Sequence, residues 1–462
     1  MHTSIKTISP VNGSVYVERN FATKEDIQLA LKIARQAQSV WRNVALAERQ
    51  AICRKAVELL NEEKQQVAEE ISWQMGRPIK FAAGEVAGFT ERADYMINAA
   101  PESLKTQKLE DKEGFIRYIE REPVGVVLVI APWNYPYLTA VNAFLPALLA
   151  GNSVILKHSP QTPLCVERLV RIFSEAGIPE GVFQYLHMDH EGSESVIRSA
   201  LTNYVAFTGS VPGGAAVERA AAGRFIGVGL ELGGKDPSYV RADADIDNAV
   251  ATLVDGAFFN SGQSCCSIER VYVDQSVYQE FVDKAVKLTN EYVLGSPVNE
   301  TTTLGPMVSA KAAAFVREQI AEAVVQGAMA HIDESRFPES EVGTAYLAPQ
   351  ILTNVNHDMR VMTEETFGPL MAIMPVSSDE QAVTLMNDSE FGLTASVFSS
   401  DIDTAIRLGN KIETGTFFVN RCDYLDPALA WTGVKNSGRG CTLSSLGFDS
   451  LTQLKSFHVK VV

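Results

Sequence analysis

Three short apolar runs, each ending in polar sequence, constrain this chain more than any other feature. VGVVLVI (124–130) runs into APWNYP, NSVILKHSP (152–160) follows, and YVAFTGS (204–210) completes the set. Helical stretches at about 137–150 and 163–176 lie between them. Strands buried on both faces read as continuous apolar runs, and strand–helix alternation builds βαβ units, so the pattern predicts a parallel sheet in an α/β fold. A second α/β region is expected from about residue 234, after ELGG. Ligands of doubly wound sheets bind beyond the carboxyl ends of the strands. Here those ends read PWN, KHS and TGS, which marks a candidate site.

Upstream, the first hundred residues read as helices. In TKEDIQLALKIARQAQSVW, Thr23 and Asp26 form a capping-box-like start, and Ile27, Leu31, Ala34 and Ala37 recur at helical spacing. A second helical run covers about 45–75 and breaks at Gly76, Arg77 and Pro78. From Gly114, GFIRYIEREPVG alternates in part and reads as an exposed strand.

The 462 residues suggest two or three domains at roughly 150 residues each. With 46% hydrophobic and 21% charged residues, the chain has the mix of a globular protein with sizeable cores. A formal charge of −16 with no basic cluster repels phosphate backbones and argues against nucleic-acid binding. The N-terminal MHTSIKTISPVNGSVYVERN lacks a basic region followed by an apolar one, so no secretory signal is expected, and the apolar runs are too short to span a bilayer. Cys53, Cys165, Cys265, Cys266, Cys422 and Cys441 show the spacing of neither a disulfide framework nor a zinc site. No metal is expected, and a reducing cytoplasmic compartment is.

FFNSGQSCC (258–266) places two adjacent cysteines behind a glycine. An accessible thiolate near a dipole or a positive group is a nucleophile, and the amides around Cys265 fit an oxyanion; apolar-flanked cysteines also serve as core packing. In GLELGGKDP (229–237), Glu231 has apolar neighbours, and burial would raise it toward the range of a general base; a glutamate paired with a cation fits as well. FTGSVPGG (207–214) runs from a strand through a Gly-rich turn into a helix starting near Gly213. Its backbone N–H groups suit a pyrophosphate, or simply close packing. Lys157 is a ligand contact or a solvated strand end, and Asn134 a donor or a turn residue.

Taken in order, APWNYP, ILKHSPQTP, FTGSVPGG, LELGGKDP, FFNSGQSC, EETFGP, FGLTASVF, GTFFVN and GVKNSGRG resemble the aldehyde dehydrogenase superfamily across nearly the whole chain. The resemblance implies a Rossmann-like cofactor domain (1–110 and 122–233), an α/β catalytic domain (234–435) and a small β oligomerisation arm (111–121 and 446–462). It makes Cys265 the nucleophile with Cys266 a bystander, Glu231 the general base, and Asn134 an oxyanion donor beside the Cys265 amide. It places Trp133, Lys157, Ser159, Gly209, Ser210, Leu232, Glu365 and Phe367 around NAD, with NADP possible. The implied reaction oxidises an aldehyde through a thiohemiacetal and a thioester that water hydrolyses.

Two departures stand out. Many NAD-preferring relatives carry a glutamate three residues after the strand-end lysine; here Pro160 stands there, leaving nothing to repel a 2′-phosphate. Near the C-terminus, many relatives read S-G-x-G-R-E, whereas SGRGCT puts Cys441 and Thr442 at the last two positions. Proton removal is then expected to rely on Glu231 and water alone, and deacylation to be slower or differently routed. The overall texture is similar to bacterial succinate-semialdehyde dehydrogenases. Tyr135, Cys266 and Arg421 are the candidate pocket residues, with Asp423 and Asp426 beside Arg421, and Tyr424 and Trp431 as aromatic walls. The strand GFIRYIERE and the C-terminal LTQLKSFHVKVV resemble the family's arm, so a homodimer or homotetramer is expected. The rival readings are a cofactor-free cysteine esterase or thioesterase and a binding protein that has lost catalysis.

Overall fold

The computed structural model describes residues 4–461. It opens on an antiparallel hairpin, β1 (Ser4–Ile8) and β2 (Val15–Asn20), where the sequence reading expects helix. Ile5, Thr7 and Val17 point inward from it, and the turn carries the Asn12, Gly13 pair with Gly13 at φ 74°. Asn-Gly between alternating residues is a hairpin signal, here diluted by the polar residues of both strands.

Helices then follow as expected. α1 (Lys24–Trp41) starts with a complete capping box, since the Asp26 N–H donates to Thr23 Oγ1 at 3.1 Å and the Thr23 N–H to Asp26 Oδ2 at 2.9 Å. The run at 45–75 is two helices, α2 (Leu46–Glu62) and α3 (Lys64–Met75), and Gly76 ends the second at φ 89°. α4 (Ile79–Ala82) and α5 (Gly84–Ser103) complete the layer.

A two-residue strand, β3 (Gln107–Lys108), and a nine-residue one, β4 (Phe115–Pro123), lead to the first large sheet. Its parallel strands are β5 (Val126–Ala131), β6 (Ser153–His158), β7 (Phe183–Tyr185), β8 (Thr202–Thr208) and β9 (Gly227–Glu231), in spatial order β7-β6-β5-β8-β9. That is the doubly wound order with its switch point at β5. Between the strands run α6 (Pro136–Leu149), α7 (Pro163–Ala176), α8 (His190–Arg198) and α9 (Val211–Ala221).

The second sheet starts at β10 (Asp236–Val240), followed by α10 (Ile246–Phe258) and β11 (Ile268–Asp274). β12 (Met329–Ala330), β13 (Gln350–Thr353), β14 (Leu370–Val376), β15 (Phe391–Gly392), β16 (Thr394–Phe398), β17 (Thr416–Val419), β18 (Val434–Lys435) and β19 (Gly438–Arg439) come next in the chain. The sheet order is β12-β13-β14-β11-β10-β16-β17, parallel except at β12. β19 returns to the first sheet and pairs antiparallel with β9. The last strand, β20 (Thr452–Lys460), pairs with β4 over nine residues, Thr452↔Pro123 to Lys460↔Phe115, and β3 covers the other edge of β4. No helix among the described residues is long and apolar enough to cross a membrane.

Candidate active site

The carboxyl ends of β5, β8 and β9 face the amino ends of β10, β11 and β14 across a cleft, and every central candidate lies there. The nucleophile loop joins α10 to β11. Asn260, Ser261 and Gly262 take left-handed φ values of 54°, 57° and 68° in succession, a conformation that non-glycine residues hold only when contacts enforce it. Those contacts explain the FFNSGQSC pattern. Asn260 Oδ1 accepts from Arg77 Nε at 3.1 Å, and Ser261 Oγ donates to the Gly305 carbonyl at 2.7 Å. Gln263 Nε2 donates to the Asn260 carbonyl at 3.0 Å, while its Oε1 accepts from the Val308 N–H at 2.7 Å. A Cβ on Gly262 would strike the Gly368 carbonyl. The loop leaves Cys265 partly exposed to the cleft and buries Cys266.

Asn134 follows β5. Its carbonyl accepts from the buried Arg77 guanidinium and from Asn260 Nδ2 at 3.2 Å, and its own Nδ2 donates to the Gln263 carbonyl at 3.1 Å. Arg77 is also paired with the buried Glu85, which accepts the Tyr137 and Leu138 N–H groups at the start of α6. One buried ion pair therefore ties the Asn134 turn to the nucleophile loop. An amide nitrogen has two hydrogens, so Asn134 keeps one beyond the Gln263 contact. Among the described residues nothing accepts the Cys265 backbone N–H. Both donors are available to an oxyanion.

Glu231 ends β9 and meets no cation at ion-pair distance among the described residues, which removes the paired-glutamate alternative. Instead Thr208 Oγ1 donates to its Oε2 at 3.0 Å and Thr442 Oγ1 to its Oε1 at 2.5 Å. Burial raises the carboxyl pKa, and these two hydrogen bonds moderate the rise.

A cleft of about 230 Å³ is lined by Trp133, Gly209, Ser210, Leu232, Glu365 and Phe367, and reaches Glu231 and Cys265. The Trp133 and Phe367 rings meet edge-to-face at 5.8 Å. Ser210 caps α9 by accepting the Gly213 N–H at 3.3 Å, the helix-terminus arrangement that favours phosphate. The Gly234 N–H donates to Glu365 Oε1 at 3.1 Å, and burial pushes that carboxyl up to about 7. Glu269, absent from the sequence reading, holds the same turn. It takes Lys235 Nζ at 2.5 Å and the Phe367 N–H at 2.8 Å. Lys157 and Ser159 lie beyond this cleft, at the end of β6. Burial lowers the Lys157 pKa to about 8, and no carboxylate pairs with it among the described residues. A phosphate-ready helix end, an unpaired half-buried ammonium and a cleft leading to the sulfur together fit a nicotinamide dinucleotide.

On the opposite side of Cys265 lies a second cavity, of about 300 Å³. Tyr135 and Cys266 line it, with Phe259, Tyr424 and Trp431 as aromatic walls. Arg421 does not. Asn420 and Asp423 turn the chain at φ 56° and 50°, which leaves Arg421 exposed, stacked 3.7 Å from the centre of the Tyr424 ring, and facing a separate outer hollow. The cation in the cavity wall is Arg92, whose Nη1 donates to the Leu138 carbonyl at 2.8 Å and to Asn142 Oδ1 at 3.2 Å. Glu91, Asp255 and Asp423 share that wall. No local motif marks Arg92; only the packing of α5 beneath α6 brings it to the site.

Comparison with known proteins agrees with this geometry. A model of the aldehyde dehydrogenase family matches residues 1–457. The chain is 32% identical to the NAD(P)+ succinate semialdehyde dehydrogenase Sad of Escherichia coli K12 over 452 residues, covering 97% of this chain and 96% of that one. It is also 32% identical to a betaine aldehyde dehydrogenase of Rhizobium etli over 461 residues, covering 99% and 94%. The crystal structure of succinic semialdehyde dehydrogenase from Streptococcus pyogenes, in complex with NADP+, superposes with a TM-score of 0.94 at 31% identity, covering 99% of this chain and 100% of that one. With the family match spanning almost every residue and the fold shared throughout, the chain belongs to the aldehyde dehydrogenase family and is an NAD(P)-dependent oxidoreductase.

Proposed function

We propose that the protein oxidises a small aldehyde to its carboxylic acid, with Cys265 as nucleophile and Glu231 as general base. One observation carries this reading: Cys265 and Glu231 lie on the wall common to the dinucleotide cleft and the second cavity. An aldehyde in one and a cofactor in the other would meet at the sulfur. Cys265 Sγ adds to the aldehyde carbon, and the oxygen that gains charge is met by the Cys265 N–H and the Asn134 amide. The bound nicotinamide supplies the acceptor for the hydride that this carbon gives up. Glu231 then takes a proton from the water that attacks the thioester, freeing the acid and the thiolate.

In this reading Trp133, Gly209, Ser210, Leu232, Glu365 and Phe367 hold the nicotinamide half, with Lys157 and Ser159 toward the adenosine. Residues 1–110 and 122–233 form the cofactor domain, 234–435 the catalytic domain, and 111–121 with 446–462 an arm. The outer edge of β20, with Leu454 exposed, supports subunit pairing into a homodimer or homotetramer. Six unpaired cysteines support a reducing, cytoplasmic setting.

Likeness to succinate semialdehyde dehydrogenases supports a carboxylate-bearing substrate. The charge of the wall favours a neutral or amine-bearing aldehyde instead, because Glu91, Asp255 and Asp423 face the cavity against Arg92, which is already hydrogen-bonded. Comparing kcat/KM for succinate semialdehyde with that for neutral and amino aldehydes of equal length decides between them.

The mechanism is tested with C265A and E231Q. C265A should form no reduced nicotinamide. E231Q should form a single burst and then stall, and E231Q turning over at the wild-type rate would overturn the assignment of the base. A cofactor-free esterase would hydrolyse esters yet reduce no NAD(P)+.

A further inference from the structure

We infer that Thr442 is a positioning residue of the hydrolytic step, its hydroxyl holding Glu231 toward Cys265 and carrying the proton of Glu231 away from the substrate side. The inference rests on the proposed role of Glu231 and concerns Thr442, in the SGRGCT segment near the C-terminus.

The backbone fixes where the Thr442 hydroxyl sits. β19 pairs with β9 through Gly438↔Glu231 and Arg439↔Leu230. Three residues on, the Thr442 and Trp431 backbones exchange both hydrogen bonds, at 3.0 and 2.9 Å. From that anchored position Thr442 Oγ1 reaches Glu231 Oε1 at 2.5 Å, while Thr208 Oγ1, opposite Glu231 in the β8–β9 register, takes Oε2 at 3.0 Å. Each carboxylate oxygen thus has a fixed donor, and the side chain has no reason to swing out of the cleft.

Behind the pair lies a small cavity of about 20 Å³, lined by Glu231, Thr442, Cys441, Arg439, Tyr204 and Thr208 among others. A space of this size holds about one water, and its wall is polar enough to bind it. It does not open onto the Cys265 sulfur, which is absent from its wall. A carboxyl proton gained from the attacking water has a route of short hops. Glu231 gives its proton to Thr442 Oγ1 as the Thr442 hydroxyl gives its own to water in this cavity. The hydroxyl ends as it began, the carboxylate is restored, and the proton leaves as hydronium on the side of Arg439 and Cys441. A threonine here therefore joins the proton path that the sequence leaves to Glu231 and water alone.

The groups facing Glu231 are Arg92 from α5, Thr208 and Tyr204 from β8, Cys265 from its loop, and Arg439, Cys441 and Thr442 from the returning segment. Arg439 is itself paired with Glu218 at 2.6 Å. Arg92 and the two threonine hydroxyls favour the carboxylate. Removing the Thr442 hydroxyl must therefore raise the Glu231 pKa, so the acidic limb of the kcat–pH profile moves to higher pH.

The experiment compares T442V, T442S and E231Q in full-length enzyme with NAD+ and with NADP+. The burst of reduced nicotinamide reports acylation and counts folded sites; the steady state reports hydrolysis. T442V should keep its burst, lose roughly tenfold in kcat, as expected for one hydrogen bond to a charged group, and show the shifted limb. T442S should restore both. A T442V enzyme with wild-type kcat and an unmoved limb, beside an E231Q enzyme that stalls, overturns the role of Thr442 alone. An E231Q enzyme that does not stall overturns the reading of Glu231 on which it rests. A T442V enzyme that loses burst and steady state together, with the limb unmoved, marks Thr442 as merely structural.

Discussion

The Cys266 thiol donates to Asp423 Oδ1 at 2.9 Å, so the second cysteine of the vicinal pair is tied to the wall of the cavity rather than to the chemistry. Contact with Cys265, burial and the nearby Asp423 charge all push the Cys266 thiol well above its ordinary range. A thiol that stays protonated is a poor nucleophile. Alkylation near neutral pH, read by peptide mass spectrometry, should therefore label Cys265 and spare Cys266. C266S, whose hydroxyl can still donate to Asp423, should keep turnover within about threefold, whereas C265S should abolish it. Equal labelling of both thiols would contradict this division.

Arg77 offers a second test, because it serves stability and the site together. Its guanidinium pairs with Glu85 and supports the Asn134 carbonyl and Asn260. R77A leaves Glu85 buried without its partner, a loss on the order of 3–5 kcal/mol, to be read from denaturant unfolding. R77K keeps the charge but not the fork, and should fall between the two in stability while still losing kcat. By contrast, N134A should lose only about 1 kcal/mol of stability, that of its one side-chain bond to Gln263, and roughly 10²–10³-fold in kcat, as when a single oxyanion donor is removed.

What could be read from sequence follows from how local each feature is. The strands β5, β6 and β8 and the helices α6 and α7 announce themselves because a strand buried on both faces must be apolar throughout. FFNSGQSC is legible because it is contiguous and part of its turn is local: Asn260 and Ser261 hold left-handed φ values and Gln263 bonds back to Asn260, while Arg77, Gly305 and Val308 complete it from distant segments. Arg92 and Glu269 leave no such trace, since their partners lie at least 46 and at least 34 residues away. Arg421 was expected in the pocket on proximity in sequence to the entrance. Two left-handed residues in its loop break that inference and present Asp423 instead. The rule placing ligands beyond the carboxyl ends of strands holds for the first sheet. It would not have found Cys265, which enters from the amino end of β11.

Pro160 is exposed just beyond the end of β6, three residues past Lys157, whose ammonium has no carboxylate partner among the described residues, and no carboxylate stands at position 160. P160E would add a negative charge near the cation proposed to meet the adenosine. Kinetics with both cofactors should show NADP+ losing about 10-fold more in kcat/KM than NAD+, the ~1.4 kcal/mol of one like-charge contact near a surface. Equal losses would show that the 2′ position of the ribose lies elsewhere.

Asp423 supplies the last and sharpest prediction. Burial pushes its carboxyl up to about 7, aided by Asp255 and opposed by Cys266, Arg92 and Arg77. Below that pH the cavity carries a neutral acid there; above it, a carboxylate. An amine-bearing aldehyde should therefore gain kcat/KM as pH rises through about 7, while a neutral aldehyde of the same length gains less. D423N should erase the difference between them. Stability carries the opposite sign. A carboxyl whose folded pKa lies above its ordinary 3.8 stabilises the fold fully only below that value, and loses this contribution as pH rises to about 7. Denaturant midpoints of the wild type should thus fall relative to D423N between those two pH values and run parallel above them. A constant offset at every pH would mean that Asp423 is ionised throughout, and that the acidity of the wall is a fixed feature of substrate selection rather than one that titrates.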